Sequence, residues 1–419
     1  EFTVGGSITN VATLRPHNSG GQSYRLNLVG DHYLGSISQN KSHVTVTGGL
    51  HQVMGSVELV DNPCSLRFID SGDVRLTNGE SRVYASISKD PSRLEMRGKT
   101  VVTGARGTHL MVGDHSTVDW AREYPNYWGS LTVADGATLT NDLYVGYRGL
   151  GAVYQRDAEI YESNGLDIGF GGGNKNGVKA YGYWGSTDSH LTVNGPLRVA
   201  ADASTGFFVQ KGGLTELAAG NGLYISQAGH ASLHVGDGGV FRMPGGSVVY
   251  FGDFGFDGGS AAVTVEGEGS LIDVNSSGIS WMVHKNFKSH VNLNDGGVLS
   301  CYRFQYEGLR TALEASRSYL SFDGGCLRMN APTNTLEYRF FMPWGDPVHQ
   351  SHPDRLTVYG GGAVFDVATS NSIVHFDSDI LGPVGKSIVS IALPSDKSFA
   401  SATHLGALRI VIEDTAGQR

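Results

Sequence analysis

The sequence predicts an all-β protein, a right-handed parallel β-helix, and three observations carry that prediction. One cadence recurs along the chain: a short alternating apolar run, a glycine turn and a second short apolar run. It reads Ser130-Leu-Thr-Val-Ala-Asp-Gly-Ala-Thr-Leu-Thr140, Ser232-Leu-His-Val-Gly-Asp-Gly-Gly-Val-Phe-Arg242, Ala262-Val-Thr-Val-Glu-Gly-Glu-Gly-Ser-Leu-Ile272 and His290-Val-Asn-Leu-Asn-Asp-Gly-Gly-Val-Leu-Ser300. The last three copies start about thirty residues apart, and a fixed period of that size marks a repeat architecture. Strand signals dominate the rest, as short alternating runs of Val, Leu, Ile, Tyr and Phe bounded by Gly, Asn and Asp. Glycine supplies 60 of 419 residues, about twice the usual share, and it falls between the apolar runs. A sandwich or barrel also uses many short strands, but neither is expected to keep one motif over so long a chain.

The elements follow from that reading. Residues 1–55 alternate without a clear period, and an N-terminal cap or a first set of irregular coils is expected there. Residues 56–386 form the parallel β-helix. Weaker copies fill the gaps between the clear ones, among them Ser56–Val60, Arg93–Arg97, Asp142–Gly146, Gly165–Gly169, His190–Asn194, Gly222–Ser226, Tyr319–Asp323 and Arg355–Tyr359. Inward positions are expected to stack Val on Val and Leu on Leu. The best helical pattern, Gly308–Arg317, is only one or two turns long. In residues 387–419 the pattern loosens into Ser387–Leu393 and Leu408–Glu413, read as strands that cap or continue the solenoid, because an open end exposes unpaired backbone.

Composition narrows the function classes. Hydrophobic residues make up 40% of the chain, ample for a long core, and charged residues 17%. The net charge of −9 and the lack of any Lys/Arg run argue against nucleic acid as the main partner, which needs a basic footprint. No apolar stretch reaches the 18 residues a membrane helix needs, so no membrane insertion is expected in this segment, and a monomer is expected. The three cysteines, Cys64, Cys301 and Cys326, give no disulfide framework. Buried thiols are expected, with a Cys301–Cys326 bridge the alternative. The abrupt start at Glu1-Phe2 and the uncapped end at Arg419 read as an excerpt of a longer protein.

The cadence at 130–151 resembles the repeats of autotransporter-type passenger proteins. So do Leu320-Ser-Phe-Asp-Gly-Gly-Cys-Leu-Arg328 and Val358-Tyr-Gly-Gly-Gly-Ala-Val-Phe-Asp366, which resemble autotransporter-associated strand repeats. The resemblance covers about residues 93–390. It implies a pectin-lyase-like β-helix, secreted or displayed on a bacterial surface, in a group that includes adhesins and carbohydrate-active proteins.

Catalytic signatures such as G-x-S-x-G, H-E-x-x-H, a Walker loop or a dinucleotide fingerprint are missing. The glycine-rich 169–177 is followed by strand and reads as a loop insertion. Unusual residues instead gather in six segments that precede the regular strands: 117–128, 177–188, 250–257, 281–288, 302–310 and 338–354. By repeat phase these are expected to stack on one side of the solenoid. Trp120, Tyr127, Trp128, Trp184, Trp281, Tyr306, Arg310 and Trp344 are the candidates for holding a polysaccharide, since rings stack on apolar sugar faces and polar groups take the hydroxyls. Packing against the solenoid flank is the alternative for each ring.

Catalysis has its own candidates. Lys285, His284, Arg303 and Tyr302 can serve as a lyase base and a uronate clamp. Asp253 and Asp257 can serve as a carboxylate pair for hydrolysis, or simply satisfy turn N–H groups. His349, His352 and Asp354 form a loose metal-like spacing. No cofactor is implied, and a divalent cation stays open. The leading expectation is a secreted or surface-displayed protein that binds polysaccharide; the alternative is a polysaccharide lyase or glycoside hydrolase using the same loops.

Overall fold

The computed structural model describes residues 92–113, 128–170, 180–201, 204–227, 229–245, 247–252, 259–282, 287–307, 317–330, 337–343 and 355–367. Before these it describes 2–5, 8–11, 24–29, 32–34, 37–39, 42–53, 57–59, 64–77 and 80–83, and after them 373–381, 387–392, 402–404 and 408–413. Every element among them is a β-strand.

Most coils carry three short strands, each paired in parallel with the strand of the same rank one coil on; in Leu271–Met282 and Val298–Glu307 the second and third ranks run together as one strand. In the first compact unit, Glu1–Phe208, Ser92–Arg97 pairs with Trp128–Ala134, Val101–Gly104 with Thr138–Thr140, and His109–Val112 with Asp142–Tyr147. The first-rank ladder continues through Leu150–Arg156 to Tyr181–Thr187. In the second unit, Val209–Arg419, His230–Gly236, Ser260–Glu266, Lys288–Asn294 and Arg317–Asp323 form the equivalent ladder. Parallel pairing of same-rank strands around successive coils is a parallel β-helix. The period near thirty holds in the second unit, where Ser260 lies 30 residues after its partner His230. The first unit is less regular: Ser65 follows its neighbour His43 by 22 residues.

Alternation along each strand builds the core. The inward column Leu94, Leu131 and Val153 in the first unit, and Leu233, Val263, Val291 and Leu320 in the second, is at most 3% exposed. Each such side chain contributes roughly 1.5–3 kcal/mol of burial. All three cysteines are free thiols, Cys64 and Cys301 buried and Cys326 partly so.

Two corners explain the glycine turns. After the first strand the backbone enters the left-handed region, at Asp70 (φ 50°), Asp135 (61°), Asp157 (47°) and Asp188 (47°) in the first unit and at Asp237 (52°) and Asp295 (48°) in the second. Asp tolerates this region better than most residues because its short polar side chain bonds locally. The N–H of that residue donates to the end of the next coil's first strand, as from Asp135 to the Arg156 carbonyl (3.1 Å) and from Asp157 to that of Thr187 (3.1 Å). At the end of the third strand the same conformation recurs at Gly113, Gly146 and Gly169. There glycine is forced: a Cβ on Gly146 would lie 2.1 Å from the Tyr181 carbonyl oxygen.

The ends follow different rules. Phe2–Gly5 and Tyr24–Val29 already pair in parallel, and the latter pairs with Ser42–Thr47. At the other end Ser387–Ala392 pairs in parallel with Ala363–Val367 but antiparallel with Ala402–His404, and Ile373–Leu381 pairs antiparallel with Leu408–Glu413. Antiparallel return strands occupy edges that another parallel coil would otherwise take.

Candidate functional site

The outward residues of the first-rank strands decide what the first unit presents to solvent. Register places Trp128, Leu150 and Tyr181 in one outward column, Ser130, Ala152 and Tyr183 in the next, and Thr132, Tyr154 and Gly185 in the third. The strand from Thr205 pairs beside Tyr181–Thr187 and adds Phe207. Tyr154, Tyr181 and Phe207 are 45%, 39% and 42% exposed, and Trp128 and Tyr183 are partly exposed. Adjacent strands lie about 4.8 Å apart, so these rings cover one continuous area.

The wall has internal order. The Tyr154 and Tyr183 rings sit 5.7 Å apart. Tyr183 lies back over Gly185, where a Cβ would meet its hydroxyl oxygen at 2.8 Å. Gly185 thus leaves room for the ring to lie along the sheet. Arg156, exposed at the strand end, is held by Asp135 at 2.9 Å, and Asp135 also takes Arg97 at 2.8 Å. These two guanidinium hydrogen bonds hold the Asp135 carboxyl below the usual carboxylate range.

The residues singled out in the sequence fare differently. Trp128 stands on this wall. Trp184 does not: it has no exposed surface and stacks on Phe208 at 6.3 Å and 8°. It was expected to hold a ligand, but strand alternation turns it inward, in register with Val153 of the core column. The described part of segment 177–188 is therefore largely the strand Tyr181–Thr187, with Tyr181 and Tyr183 facing out. Tyr302 and Arg303 are neighbours on the strand Val298–Glu307, the guanidinium 5.4 Å from the tyrosine ring centre. Trp281 and Tyr306 occupy paired register positions on adjacent strands. Trp120, Tyr127, Asp253, Asp257, His284, Lys285, Arg310 and Trp344 lie outside the described residues, as do His349, His352 and Asp354. Sequence reading passed over Tyr154 and Phe207. Their signal is an aromatic at an outward position of a first-rank strand, visible only once the coil phase is fixed.

A second aromatic group sits on the third-rank strands of the same unit. Tyr147 and Phe170 stack at 5.2 Å and 12°, Tyr144 meets Tyr147 edge-on at 5.6 Å, and Arg148 lies 4.9 Å over Tyr147. Beside them Asp142 accepts hydrogen bonds from Ser163 and Asn164, and Asp167 pairs with Arg198 at 3.0 Å. Burial, then Asp167 and Asp142, push the Tyr144 phenol up. Asp142 and Asp167 are 3% and 7% exposed, so these carboxylates are committed to partners within the stack and offer little to a ligand. Among the described residues no group of His, Cys, Asp and Glu could hold a metal ion, and no helix is long and apolar enough to cross a membrane.

Comparison of the chain with protein-family models, with curated proteins and with solved structures finds no match.

Proposed function

We propose that this chain is a polysaccharide-binding β-helix, and that it works as the rigid passenger of a secreted or surface-displayed bacterial protein. The observation that carries the reading is the outward wall of Trp128, Tyr154, Tyr181, Tyr183 and Phe207 on adjacent coils. Scattered exposed apolar residues are ordinary, but a contiguous aromatic area marks an interaction surface. Rings fixed on a sheet lose little conformational freedom on binding, and they stack on the apolar faces of sugar rings while phenol groups reach hydroxyls.

Binding is favoured over turnover by the form of the wall. Among the described residues the outward side of the sheet offers stacking without surrounding a glycosidic bond with acid, base and clamp. The autotransporter-like cadence adds the extracellular setting, in which a repeat solenoid serves as a spacer that carries such a surface.

The test is a panel of soluble polysaccharides in affinity electrophoresis and calorimetry, with the Trp128→Ala/Tyr183→Ala double variant beside the parent chain. Both substituted side chains are partly exposed, so melting should stay within a few degrees of the parent. Binding of the preferred polysaccharide should weaken at least tenfold. Unchanged binding by the double variant, or no binding anywhere in the panel, sinks the proposal. Release of new reducing ends or unsaturated uronates would replace it with an enzyme.

A further inference from the structure

The same outward face changes character toward the N-terminus. On Tyr24–Val29, Ser42–Thr47, Ser65–Ile69 and Ser92–Arg97 the outward column that leads to Ser130 of the aromatic coils reads Arg25, His43, Ser65 and Arg93. The neighbouring column reads Asn27, Thr45, Arg67 and Glu95, and the third ends in Arg97. Arg25, Arg67 and Arg93 are exposed. Glu95 is the acidic member of these columns, and it is shared by Arg67 at 3.2 Å and Arg97 at 3.6 Å. No carboxylate among the described residues is in ion-pair contact with Arg25 or Arg93. His43, whose Nδ1 lies 2.8 Å from the Ser65 hydroxyl, reports the local field. Burial first, and then Arg25, Arg67 and Arg93, push its imidazole down from the usual histidine range.

A chain of net charge −9 thus gathers surplus positive charge on one strip. The period assembles it from residues far apart in sequence, so no basic run announces it. The strip runs without a break of register into the aromatic wall. From Tyr24–Val29 to the strand beginning at Thr205 the face extends about 33 Å at about 4.8 Å per strand.

We infer that the ligand is an acidic polysaccharide lying lengthwise on this face, its carboxylates on Arg25 and Arg93 and its sugar rings on the Trp128-to-Phe207 wall. This rests on the polysaccharide-binding reading above and adds the ligand's charge and direction. Guanidinium groups match planar carboxylates through paired N–H donors. A repeating polyanion also gains from engaging several arginines at once. Nucleic acid carries a denser charge and is disfavoured by the overall −9.

The experiment compares three chains: the parent, Arg25→Ala/Arg93→Ala and Trp128→Ala/Tyr183→Ala. Each is titrated with a polyuronate, its fully methyl-esterified form, a sulfated dextran and duplex DNA at 50 and 200 mM NaCl. The parent should bind the polyuronate at least tenfold more tightly than the ester and lose several-fold in affinity at the higher salt. The arginine variant should lose that preference and most of the salt dependence, yet bind the ester as the parent does. Polyuronate binding that is unchanged in the arginine variant but lost in the aromatic one overturns the inference and leaves the polysaccharide reading standing. Binding that neither variant alters overturns both. Tighter binding of sulfated dextran or of DNA than of polyuronate overturns the carboxylate assignment.

Discussion

Glu162 has no exposed surface, and one of its carboxyl oxygens accepts the Leu143 N–H at 2.9 Å while the other is without a partner. Burial pushes its acid well above the usual carboxylate range, and Asp142 and Asp167 push it further in the same direction. A carboxyl raised by folding is neutral in the native coil. Its contribution is therefore complete below the unfolded-state value and is lost as pH rises through the folded-state value. This is the reverse of a salt-bridged carboxylate, such as Asp135 at the Arg97–Arg156 corner, whose contribution is lost as pH falls. Glu162→Gln keeps the acceptor and removes the proton equilibrium. The melting temperature of the parent should fall relative to Glu162→Gln as pH rises out of the ordinary carboxylate range, with the two curves closest on the acid side of it. A constant difference as pH rises would mean that Glu162 does not hold its proton in the folded chain.

At the scale of the element, the left-handed corners separate two jobs that glycine does in this sequence. Gly48 and Gly146 have nearly the same φ, 64° and 70°. A Cβ on Gly48 would meet nothing within 4 Å, whereas one on Gly146 would strike the Tyr181 carbonyl at 2.1 Å. Gly48→Ala should cost about 1–2 kcal/mol, the ordinary left-handed penalty. Gly146→Ala should cost clearly more, since backbone must move. Urea titration of the two variants reads the difference directly, and equal costs would mean that the corner at Gly146 relaxes freely. The first corner was legible at Asp135, Asp237 and Asp295, where Asp-Gly closes the cadence and names both the turn and the strand before it, and less so at Asp70, Asp157 and Asp188, where no glycine follows directly. The aromatic wall was half legible. Trp128 was singled out as a ligand-stacking ring and is partly exposed, but Trp184 was grouped with it, because composition marks both segments as unusual while only the alternation along Tyr181–Thr187 tells inside from outside. The arginine strip was not legible at all: Arg25, Arg67 and Arg93 lie in unremarkable local sequence, and unequal coil lengths in the first unit hide the register that joins them.

At the scale of the molecule, a solenoid distributes its stability along one dimension. Each coil touches its two neighbours, so stability approximates a sum of coil terms and nearest-neighbour terms, and a local defect is felt over a short range. Trp184 tests this well. Among the described residues it is the largest side chain with no exposed surface, and its contacts reach along the stack to Phe208. Trp184→Ala should cost roughly 3–5 kcal/mol through lost burial and an unfilled cavity. In a chain that unfolds as one unit, that loss would lower amide protection everywhere. In a one-dimensional stack it should accelerate hydrogen exchange in Leu150–Arg156 and Tyr181–Thr187, while Ser42–Thr47 and Ser65–Ile69, several coils away in the same unit, keep nearly their parent rates. Uniform acceleration across all four strands would contradict the nearest-neighbour picture. The distinction bears on function because the proposed face runs the length of these coils. If defects stay local, the arginine strip and the aromatic wall can be altered one at a time without unfolding each other, and a long binding surface can change at one end while the other end is kept.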